Sequence, residues 1–555
     1  MKALFQTRYA VFEVLLFATV ALAIAGFWEA ELWWSLGLLL PLCLLGIWDL
    51  VQTRHSLMRL YPVVAHFRWL SEALRPFLRQ YIVEGDLTGT PFNRHQRSLV
   101  YARAKDQVDA QPFGTQLDVY GPDYEMMTYS LGAKKISAEG MRVTIGGPQC
   151  DKPYSASLLN ISAMSFGSLS GRAIEALNKG AALGNFFHDT GEGGLSCYHR
   201  KHGGDLVWEI GTGYFGCRDK DGNFDPDLFR ETARLDQVKM IEIKLSQGAK
   251  PGHGGVLPAA KVTQEIADAR QVEAGQTCLS PPAHTAFSTP AEMMHFVQQL
   301  RELSGGKPVG LKMCIGHPWE LFAICKAMHS TGIKIDFLVV DGAEGGTGAA
   351  PEEFSDHLGL PLRDGLIMAR NALVGAGLRH DIRLGASGKV YSAFSMANNL
   401  ALGADFCNAA RAFMFTVGCV MTLKCHTGKC PTGVATQDTS RQRALVVEDK
   451  AKRAYNFQRH TMEHLAELVG AAGLQHPGEL RPHHLYHRRG PNALATMEMI
   501  HPFLEPGVLL DDPDSTPYAE WWKIATPESF VPLRDPGPAS NQASAAATED
   551  FPSSF

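Results

Sequence analysis

Two long apolar segments lie near the start of the chain. Residues 9–27 contain one charge, Glu13, and residues 32–48 contain none. As a helix rising about 1.5 Å per residue, the first segment would span about 28 Å, close to the thickness of the hydrocarbon core of a bilayer. The pattern therefore predicts a transmembrane helical hairpin over residues 1–52.

The residues that flank the hairpin predict its orientation. Lys2 and Arg8 precede the first segment, Arg54 and Arg59 follow the second, and the turn at 28–31 is acidic. The positive-inside rule then places both ends, and the catalytic part that follows, on the cytoplasmic side of a membrane. A signal peptide and a buried hairpin of a soluble protein are the alternatives. A signal peptide is disfavoured because a second apolar segment follows without a small-residue cleavage site.

From residue 155 onward, short apolar runs alternate with longer helix-like stretches. There are eight such runs, each followed by a turn rich in Gly or Pro: 157–161, 185–188, 240–244, 277–279, 309–313, 337–340, 382–384 and 405–408. Eight strand–helix units predict an α/β fold of the (β/α)8 TIM-barrel type. A doubly wound open sheet is the alternative, but no G-x-G-x-x-G sequence follows the first run.

The remaining segments complete the predicted organisation. Residues 53–150 combine a juxtamembrane helix with an irregular segment that leads into the barrel, which is placed at 151–475 and ends with a helix at 446–472. A C-terminal extension covers 476–535. Residues 536–555 are rich in Ser, Ala and Pro and predict a disordered tail.

Composition and charge narrow the class of protein. The net charge of −5 gives no indication of the basic face that nucleic-acid binding requires. The eleven cysteines are odd in number and scattered, which indicates reduced thiols and not a disulfide framework.

The turns that follow the runs contain the candidate chemistry, because barrel enzymes carry their sites on the loops after the strands. Gly-rich turns let backbone N–H groups approach a phosphate, and 385–388 and 409–411 are candidate anchors near the last two strands. Each turn by itself could equally be an ordinary connection. Lys312 at a strand end could stabilise negative charge on a reduced flavin ring. Four further polar side chains could hold a dicarboxylate: Lys244, Gln247, Lys250 and Arg270.

Three cysteines cluster in the spacing C-x5-C-x4-C. They are Cys419, Cys425 and Cys430, and Pro431 follows the last. Three thiolates on one short loop suit an iron–sulfur cluster, and three ligands indicate the 3Fe-4S type. Zinc, with His426 as a fourth ligand, and a group of buried thiols without metal are the alternatives.

These motifs, in this order, resemble the FMN-binding synthase domain of the glutamate synthase family, in its stand-alone membrane-anchored form. The resemblance covers residues 90–475. Its most specific stretches are 162–170 (SAMSFGSLS), 190–194 (TGEGG), 242–255 (EIKLSQGAKPGHGG), 280–284 (SPPAH), 345–349 (GGTGA) and 418–438, which contains the three cysteines.

The resemblance implies an oxidoreductase acting on CH–NH2 donors. Electrons would pass from a donor through a 3Fe-4S cluster to FMN, and a hydride would reduce the imine of 2-oxoglutarate and ammonia. It implies that Cys419, Cys425 and Cys430 hold the cluster, and that Glu192, Lys244, Gln247 and Arg270 face the substrate, with Glu192 managing protons. The residues implied to line FMN are Ser162, Ala163, Met164, Ser165, Lys312, Gly346, Gly385, Ala386, Ser387, Gly388, Ala409 and Ala410.

The chain also departs from the large glutamate synthases. Position 2 is Lys, where a glutaminase domain would have its nucleophilic cysteine, and His253 stands where those synthases carry Glu. No Gly-repeat β-helix or NADPH-binding domain is recognisable. We therefore expect a small 2-oxo acid and free ammonia or an amine as substrates, and a donor protein or quinone as electron partner. A flavin dehydrogenase that passes electrons to membrane quinone and a non-catalytic tethered subunit are the competing hypotheses.

Overall fold

The computed structural model describes residues 8–533, which form two compact units that meet between His95 and Gln96. The boundary falls inside the predicted 53–150 segment. The predicted tail at 536–555 and the flanking Lys2 lie outside the described residues.

The first unit begins with a helical hairpin. Helix α1 is Ala10–Ala25 and helix α2 is Trp33–Val51, with a 3-10 turn at Ala30–Leu32 between them. Within the described residues, one helical stretch, Ala30–Val51, is long and apolar enough to cross a membrane, whereas Ala10–Ala25 is shorter. After the hairpin come a short helix at Ser56–Leu60, helix α3 at Ala65–Leu78 and a π-helical turn at Arg79–Val83.

The two hairpin helices pack closely against each other. Thr19 Oγ1 lies 3.1 Å from Cys43 Sγ, and Trp33 Nε1 donates to the Gly26 carbonyl oxygen at 2.8 Å. The ring of Phe12 lies so near Gly46 that a Cβ at position 46 would come within 2.2 Å of it. A glycine is required there because the backbone of α2 is the surface against which Phe12 packs.

The second unit is a closed barrel of eight parallel strands in sequence order, which confirms the predicted TIM-type fold. Its strands are β1 Leu159–Ile161, β2 His188–Asp189, β3 Leu206–Ile210, β4 Val238–Lys244, β5 Val309–Met313, β6 Phe337–Asp341, β7 Arg383–Ser387 and β8 Phe406–Ala409.

Seven of the eight predicted runs overlap barrel strands, and one assignment is wrong. The run at 277–279 forms the short strand Cys278–Leu279, which pairs antiparallel with Val256–Leu257 outside the barrel. The true third strand, Leu206–Ile210, escaped prediction although all five of its residues are buried. Glu209 interrupts the apolar pattern of this strand, and its buried carboxylate pairs with Lys312 inside the barrel.

Helices surround and extend the barrel. Typical end signals define them: Thr289 caps the helix Pro290–Ser304 by accepting from Glu292 N, and Gly305 ends it in a left-handed conformation. One α-helix, Arg94–Ala104, spans the boundary between the units. The α-helices of the second unit are Gly171–Gly184, Cys197–Arg200, Pro226–Ala233, Gln264–Arg270, Pro290–Ser304, Pro318–Thr331, Glu352–His357, Leu362–Gly375, Ala393–Ala401, Arg411–Thr416, Thr439–Gln442, Val447–Ala471, Met497–Ile500, Val508–Asp511 and Ala519–Ile524.

Smaller elements complete the second unit. Glu125–Met127, Leu485–Gly490 and Ala493–Thr496 form a three-stranded sheet, and Arg142–Ile145 pairs with Tyr154–Ser157. Short 3-10 turns lie at Ala259–Lys261, Cys425–Thr427, Pro477–Glu479, Pro482–His484 and Pro513–Ser515.

The N-terminal end of the barrel is closed by an apolar floor. Ile145, Tyr154 and Ala156 of the small hairpin pack on side chains from the first residues of the strands, among them Phe337 and Phe406. Because all these residues are less than a tenth exposed, the barrel interior is shut off from water on this side.

A buried ion pair stabilises this end. Asp336 accepts from Gly147 N at 2.7 Å and from Val309 N at 2.8 Å, and it pairs with Arg301 at 3.0 Å. Both side chains are at most 3% exposed. Asp336 therefore joins the floor hairpin, strand β5 and a barrel helix at one carboxylate.

We predict that Asp336→Ala lowers the melting temperature strongly, because it leaves the buried Arg301 charge unpaired, a loss of about 3–5 kcal/mol. Asp381→Ala is the matched control, since Asp381 pairs with a Lys334 that is 34% exposed; it should cost about 1 kcal/mol or less. Thermal unfolding of the two variants side by side measures the difference, and equal shifts would contradict the assigned role of Asp336.

Candidate active site

The four predicted substrate residues lie together at the C-terminal end of the barrel. Glu192 follows β2, Lys244 ends β4, and Lys244 Nζ lies 3.1 Å from a Glu192 carboxylate oxygen. The same ammonium donates to Gln247 Oε1 at 2.7 Å. Arg270 ends the helix Gln264–Arg270, and its Nη2 lies 3.4 Å from Ser165 Oγ.

The buried side chains around Glu192 carry more positive than negative charge. Lys244, Lys250 and Arg270 are all at least nine-tenths buried, and all three act on the single carboxylate of Glu192. Burial by itself would raise the pKa of Glu192, but these cations outweigh it and hold the pKa below its ordinary value. Burial lowers the pKa of Lys250. An anionic ligand would relieve the excess positive charge.

Two glycines permit the close approach of the site loops. Gly191 has a φ of +65°, and a Cβ there would lie 2.7 Å from Ser165 N. A Cβ on Gly255 would lie 2.2 Å from Glu192 Oε1. Side chains at these positions would push the loops after β1, β2 and β4 apart. His253, in the same β4 loop, contacts the Gly254 carbonyl oxygen through Nδ1 at 2.8 Å.

The residues predicted to line a cofactor meet between β7, β8 and β1. Ser162 Oγ lies 3.3 Å from Ser387 Oγ, and Ser162 N donates to the Ala409 carbonyl oxygen. Asn408 is 2% exposed, and its Oδ1 finds no hydrogen-bond partner among the described residues. Ala163, Met164 and Ser165 lie in the loop after β1, Gly388 follows β7, Ala410 follows β8, and Ala386 lies in the second half of β7. Gly385 lies deeper in β7, where a Cβ would come within 2.6 Å of the floor residue Phe406, so the structure does not bring it to the strand ends.

Arg411 ends the segment 409–411 that the sequence predicts as a phosphate anchor, and its side chain contacts the neighbouring loop. A Cβ on the predicted Gly346 would lie 2.8 Å from Arg411 Nε, so this guanidinium packs on the Gly346 backbone. It donates to the Glu344 carbonyl oxygen at 2.7 Å. Burial lowers the pKa of Arg411 to about 10. Its side chain therefore joins the loop after β8 to the loop after β6.

A cavity of about 400 Å³ opens near the same loop. It is bounded by Glu344 and by residues of the C-terminal extension, including His487 and Arg489. The cavity does not reach Glu192 or Lys244, whose side chains pair with each other.

Lys312, predicted to face a flavin, lies inside the barrel against carboxylates. It is 4% exposed, and its Nζ is 2.7 Å from Glu209 Oε2. Asp189, Glu209 and Glu242 bring their oxygens within 4.8 Å of one another. Sequence reasoning missed these three acids. Their signal was a charge between apolar strand residues, as in Trp208-Glu209-Ile210 and Ile241-Glu242-Ile243.

The three acids cannot all be ionised at neutral pH. Glu209 and Glu242 are register partners on the adjacent strands β3 and β4, and each is at most 2% exposed. Lys312 is the cation that acts on them. Burial, then the charge of Glu209, raises the pKa of Asp189 to about 7, and burial raises the pKa of Glu242 well above its ordinary value. The cluster therefore holds a proton.

The cysteine loop is fastened to the barrel loops. Lys261 Nζ donates to the Cys425 carbonyl oxygen at 3.0 Å, and Tyr101 OH donates to that of Cys419 at 2.7 Å. Gln437 Nε2 donates to the carbonyl oxygens of Gly167 and Leu169 in the loop after β1. The loop thus lies beside the predicted cofactor residues.

The arrangement of the thiols bears on which metal they suit. Cys419, Cys425 and Cys430 are free and act on one another electrostatically. Among the described residues, they are not one of the groups whose ligand atoms all lie within 4.8 Å. Zinc, with bonds of about 2.3 Å, would bring its sulfurs to about 3.8 Å, so at least one pair of these thiols lies farther apart than a zinc site requires. His426, the candidate fourth zinc ligand, is exposed.

Comparison with known proteins places these features in a family. Residues 135–475 match the conserved region in glutamate synthase. The chain is 39% identical over 497 residues to the glutamate synthase large subunit-like protein YerD of Bacillus subtilis (strain 168), covering 82% of this chain and 94% of that protein. It is 32% identical over 361 residues to an archaeal glutamate synthase [NADPH] of Methanocaldococcus jannaschii, covering 65% of this chain and 66% of that protein.

Two further comparisons are more limited. The archaeal-type glutamate synthase [NADPH] of Thermotoga neapolitana is 32% identical over 320 residues, with 58% of this chain and 60% of that protein covered. This chain thus spans less than two thirds of the length of both [NADPH] relatives. A crystal structure of mandelate oxidase with benzoyl-formic acid aligns with a TM-score of 0.37 and 15% identity, covering 73% of this chain and 96% of the other.

We predict that Asp189→Asn stabilises the protein progressively as pH rises. Because the folded-state pKa of Asp189 is raised, the native state holds a proton that the unfolded chain has lost between about pH 4 and 7. Wild-type stability therefore falls across this range, by at most about 1.4 kcal/mol per pH unit from this group.

The difference in melting temperature between Asp189→Asn and wild type, measured at pH 5 and pH 8, checks this. The variant should gain relative to wild type at pH 8. Asp227→Asn, which alters an exposed carboxylate, should show the same difference at both pH values. A constant difference for Asp189→Asn would show that Asp189 does not carry the retained proton.

Proposed function

Because this chain belongs to the glutamate synthase family and is a glutamate-synthase-like oxidoreductase, we propose that it reduces the imine of 2-oxoglutarate and ammonia. The observation that carries the proposal is the charge imbalance beside Glu192. Three buried cations, Lys244, Lys250 and Arg270, face that one carboxylate. A dicarboxylate supplies the two negative charges that balance them.

The chain's own residues would divide the work of binding and proton transfer. Lys250 and Arg270 would hold the substrate carboxylates, and the Gln247 amide would orient them. Imine formation releases one water, and reduction of the imine consumes two electrons and two protons. Glu192 is ionised at neutral pH, so it can accept a proton from the attacking nitrogen, and Lys244 at 3.1 Å can return one.

The strand ends fit a flavin, and the cysteine loop fits an iron–sulfur cluster. The facing hydroxyls of Ser162 and Ser387 and the unpartnered Oδ1 of Asn408 offer buried hydrogen-bonding groups. Bound there, FMN would supply two-electron transfer and a 3Fe-4S cluster on Cys419, Cys425 and Cys430 would supply one-electron transfer from a donor protein. Ammonia would come from solution or from a partner.

The apolar hairpin supports a membrane location. The stretch Ala30–Val51 is long enough to cross a bilayer, and Arg54 and Arg59 follow it. We therefore place the chain at a membrane with its catalytic unit on the cytoplasmic side. The same stretch favours a second candidate function, in which another amino or oxo acid is oxidised and its electrons pass to membrane quinone.

Rapid mixing of the anaerobically reduced protein tests the function. We predict that 2-oxoglutarate with ammonium reoxidises it, as followed by visible absorbance, and that either compound alone does not. Reoxidation by a quinone and not by this pair would replace the proposal with the second candidate.

Substitution of Arg270 tests the binding role of the cations. Arg270→Met removes a charge-assisted pair worth about 1.5–3 kcal/mol, so it should raise the 2-oxoglutarate concentration for half-maximal rate about 10- to 100-fold. Arg218→Met is the matched control, because Arg218 lies over the same Phe215 ring, at 5.6 Å, but does not act on Glu192. Equal effects would argue against the assigned role of Arg270.

Removal of one thiol tests the cluster. We predict that Cys425→Ser loses cluster absorbance and most bound iron, because three iron centres would then have only two protein sulfurs. Cys197→Ser, which changes an exposed cysteine, should keep both. Iron analysis and visible spectra measure this, and full iron content in Cys425→Ser would contradict the ligand assignment.

A further inference from the structure

Helix α3 carries an apolar face that no other described element of the first unit covers. Phe67, Leu70, Leu74, Leu78 and Tyr81 recur at spacings of three and four residues along α3 and the turn after it. That spacing puts them on one face of a helix. Their exposures are 71%, 55%, 47%, 48% and 54%.

The opposite face of the same helix is charged. Arg68, Glu72, Arg75 and Arg79 lie on it, so basic residues outnumber the acidic one by three to one. All residues from 67 to 79 are exposed. An isolated helix of this length is only marginally stable in water. An apolar environment on one side would supply the missing stabilisation.

The start of α3 is fixed at the end of α2. Asp49, in the last turn of α2, is fully buried and accepts from Val63 N at 2.9 Å. Its carboxylate also contacts His66 Nε2, at 2.9 and 3.0 Å. If α2 crosses a membrane, these contacts hold the first turn of α3 at the depth where α2 ends, which is the headgroup region.

We infer that α3 lies in the plane of the membrane surface, with its apolar face in the acyl boundary and its arginines toward anionic headgroups. The occupant is a lipid surface because the apolar face continues from an apolar hairpin and the charged face is basic. Basic residues near an anionic surface are attracted to it, so the three arginines favour anionic lipid. The inference rests on the membrane location in the proposed function and adds a second, surface contact to it.

Photo-crosslinking of the full chain in vesicles of phosphatidylcholine and phosphatidylglycerol tests this. A benzophenone amino acid replaces Phe67 or Leu74 on the apolar face, or Glu72 on the charged face as the matched control. We expect lipid adducts at 67 and 74 in several-fold excess over 72, identified by peptide mass spectrometry. Adducts to the same chain or a second copy, or equal lipid adducts on both faces, would overturn the inference.

Alkaline carbonate extraction of the same samples separates this inference from the anchor. Retention in the membrane with only protein adducts at 67 and 74 would keep the anchor and refute the surface contact. Release by carbonate, with lipid adducts formed beforehand at 67 and 74, would refute the transmembrane hairpin and support the surface contact.

Discussion

The ion pair between Lys312 and Glu209 is the interaction on which the barrel interior depends. Asp189, Glu209 and Glu242 come from three consecutive strands and share the positive charge of Lys312. The apolar floor keeps water from solvating them from below. At low dielectric, two ionised carboxylates so close together would repel strongly, so the interior needs both the lysine and a retained proton. A change of charge next to Lys312 would therefore alter the protonation of Asp189, Glu209 and Glu242.

This buried charge also explains where the sequence was informative about the fold and where it was not. Seven strands could be predicted because parallel strands buried on both faces appear in the sequence as short, nearly continuous apolar runs. Leu206–Ile210 was not predicted although all five of its residues are buried. Its Glu209 is paired with Lys312, a partner more than a hundred residues away that the local sequence does not show. The run at 277–279 is apolar enough for a barrel strand, but Cys278–Leu279 pairs with a loop strand instead. Whether such an apolar run joins the barrel or another sheet depends on pairing partners that lie elsewhere in the sequence.

The sequence likewise predicted some residues of the candidate site but not the contacts between them. Glu192, Lys244, Gln247 and Arg270 could be predicted as a group because loops after parallel strands converge at one end of a barrel. Their pairing could not: Lys244 joins Glu192 to Gln247, which only the side-chain geometry reveals. The acids Asp189 and Glu242 were not predicted as site residues because the sequence around each does not show that Glu209 and Lys312 lie beside them. Arg411 lies in the predicted anchor 409–411, but the contact of its guanidinium with Gly346 and Glu344 joins two loops distant in sequence and could not be predicted.

The cysteine loop and the cation group are supported by the same loops. Lys261, which precedes the helix ending at Arg270, holds the Cys425 carbonyl oxygen. Gln437 holds the loop after β1, whose Phe166 carbonyl oxygen and Ser165 hydroxyl receive Arg270. A displacement of either loop would therefore move both the thiols and the substrate cations. In the proposed function, electron delivery and substrate binding would then depend on one set of backbone contacts.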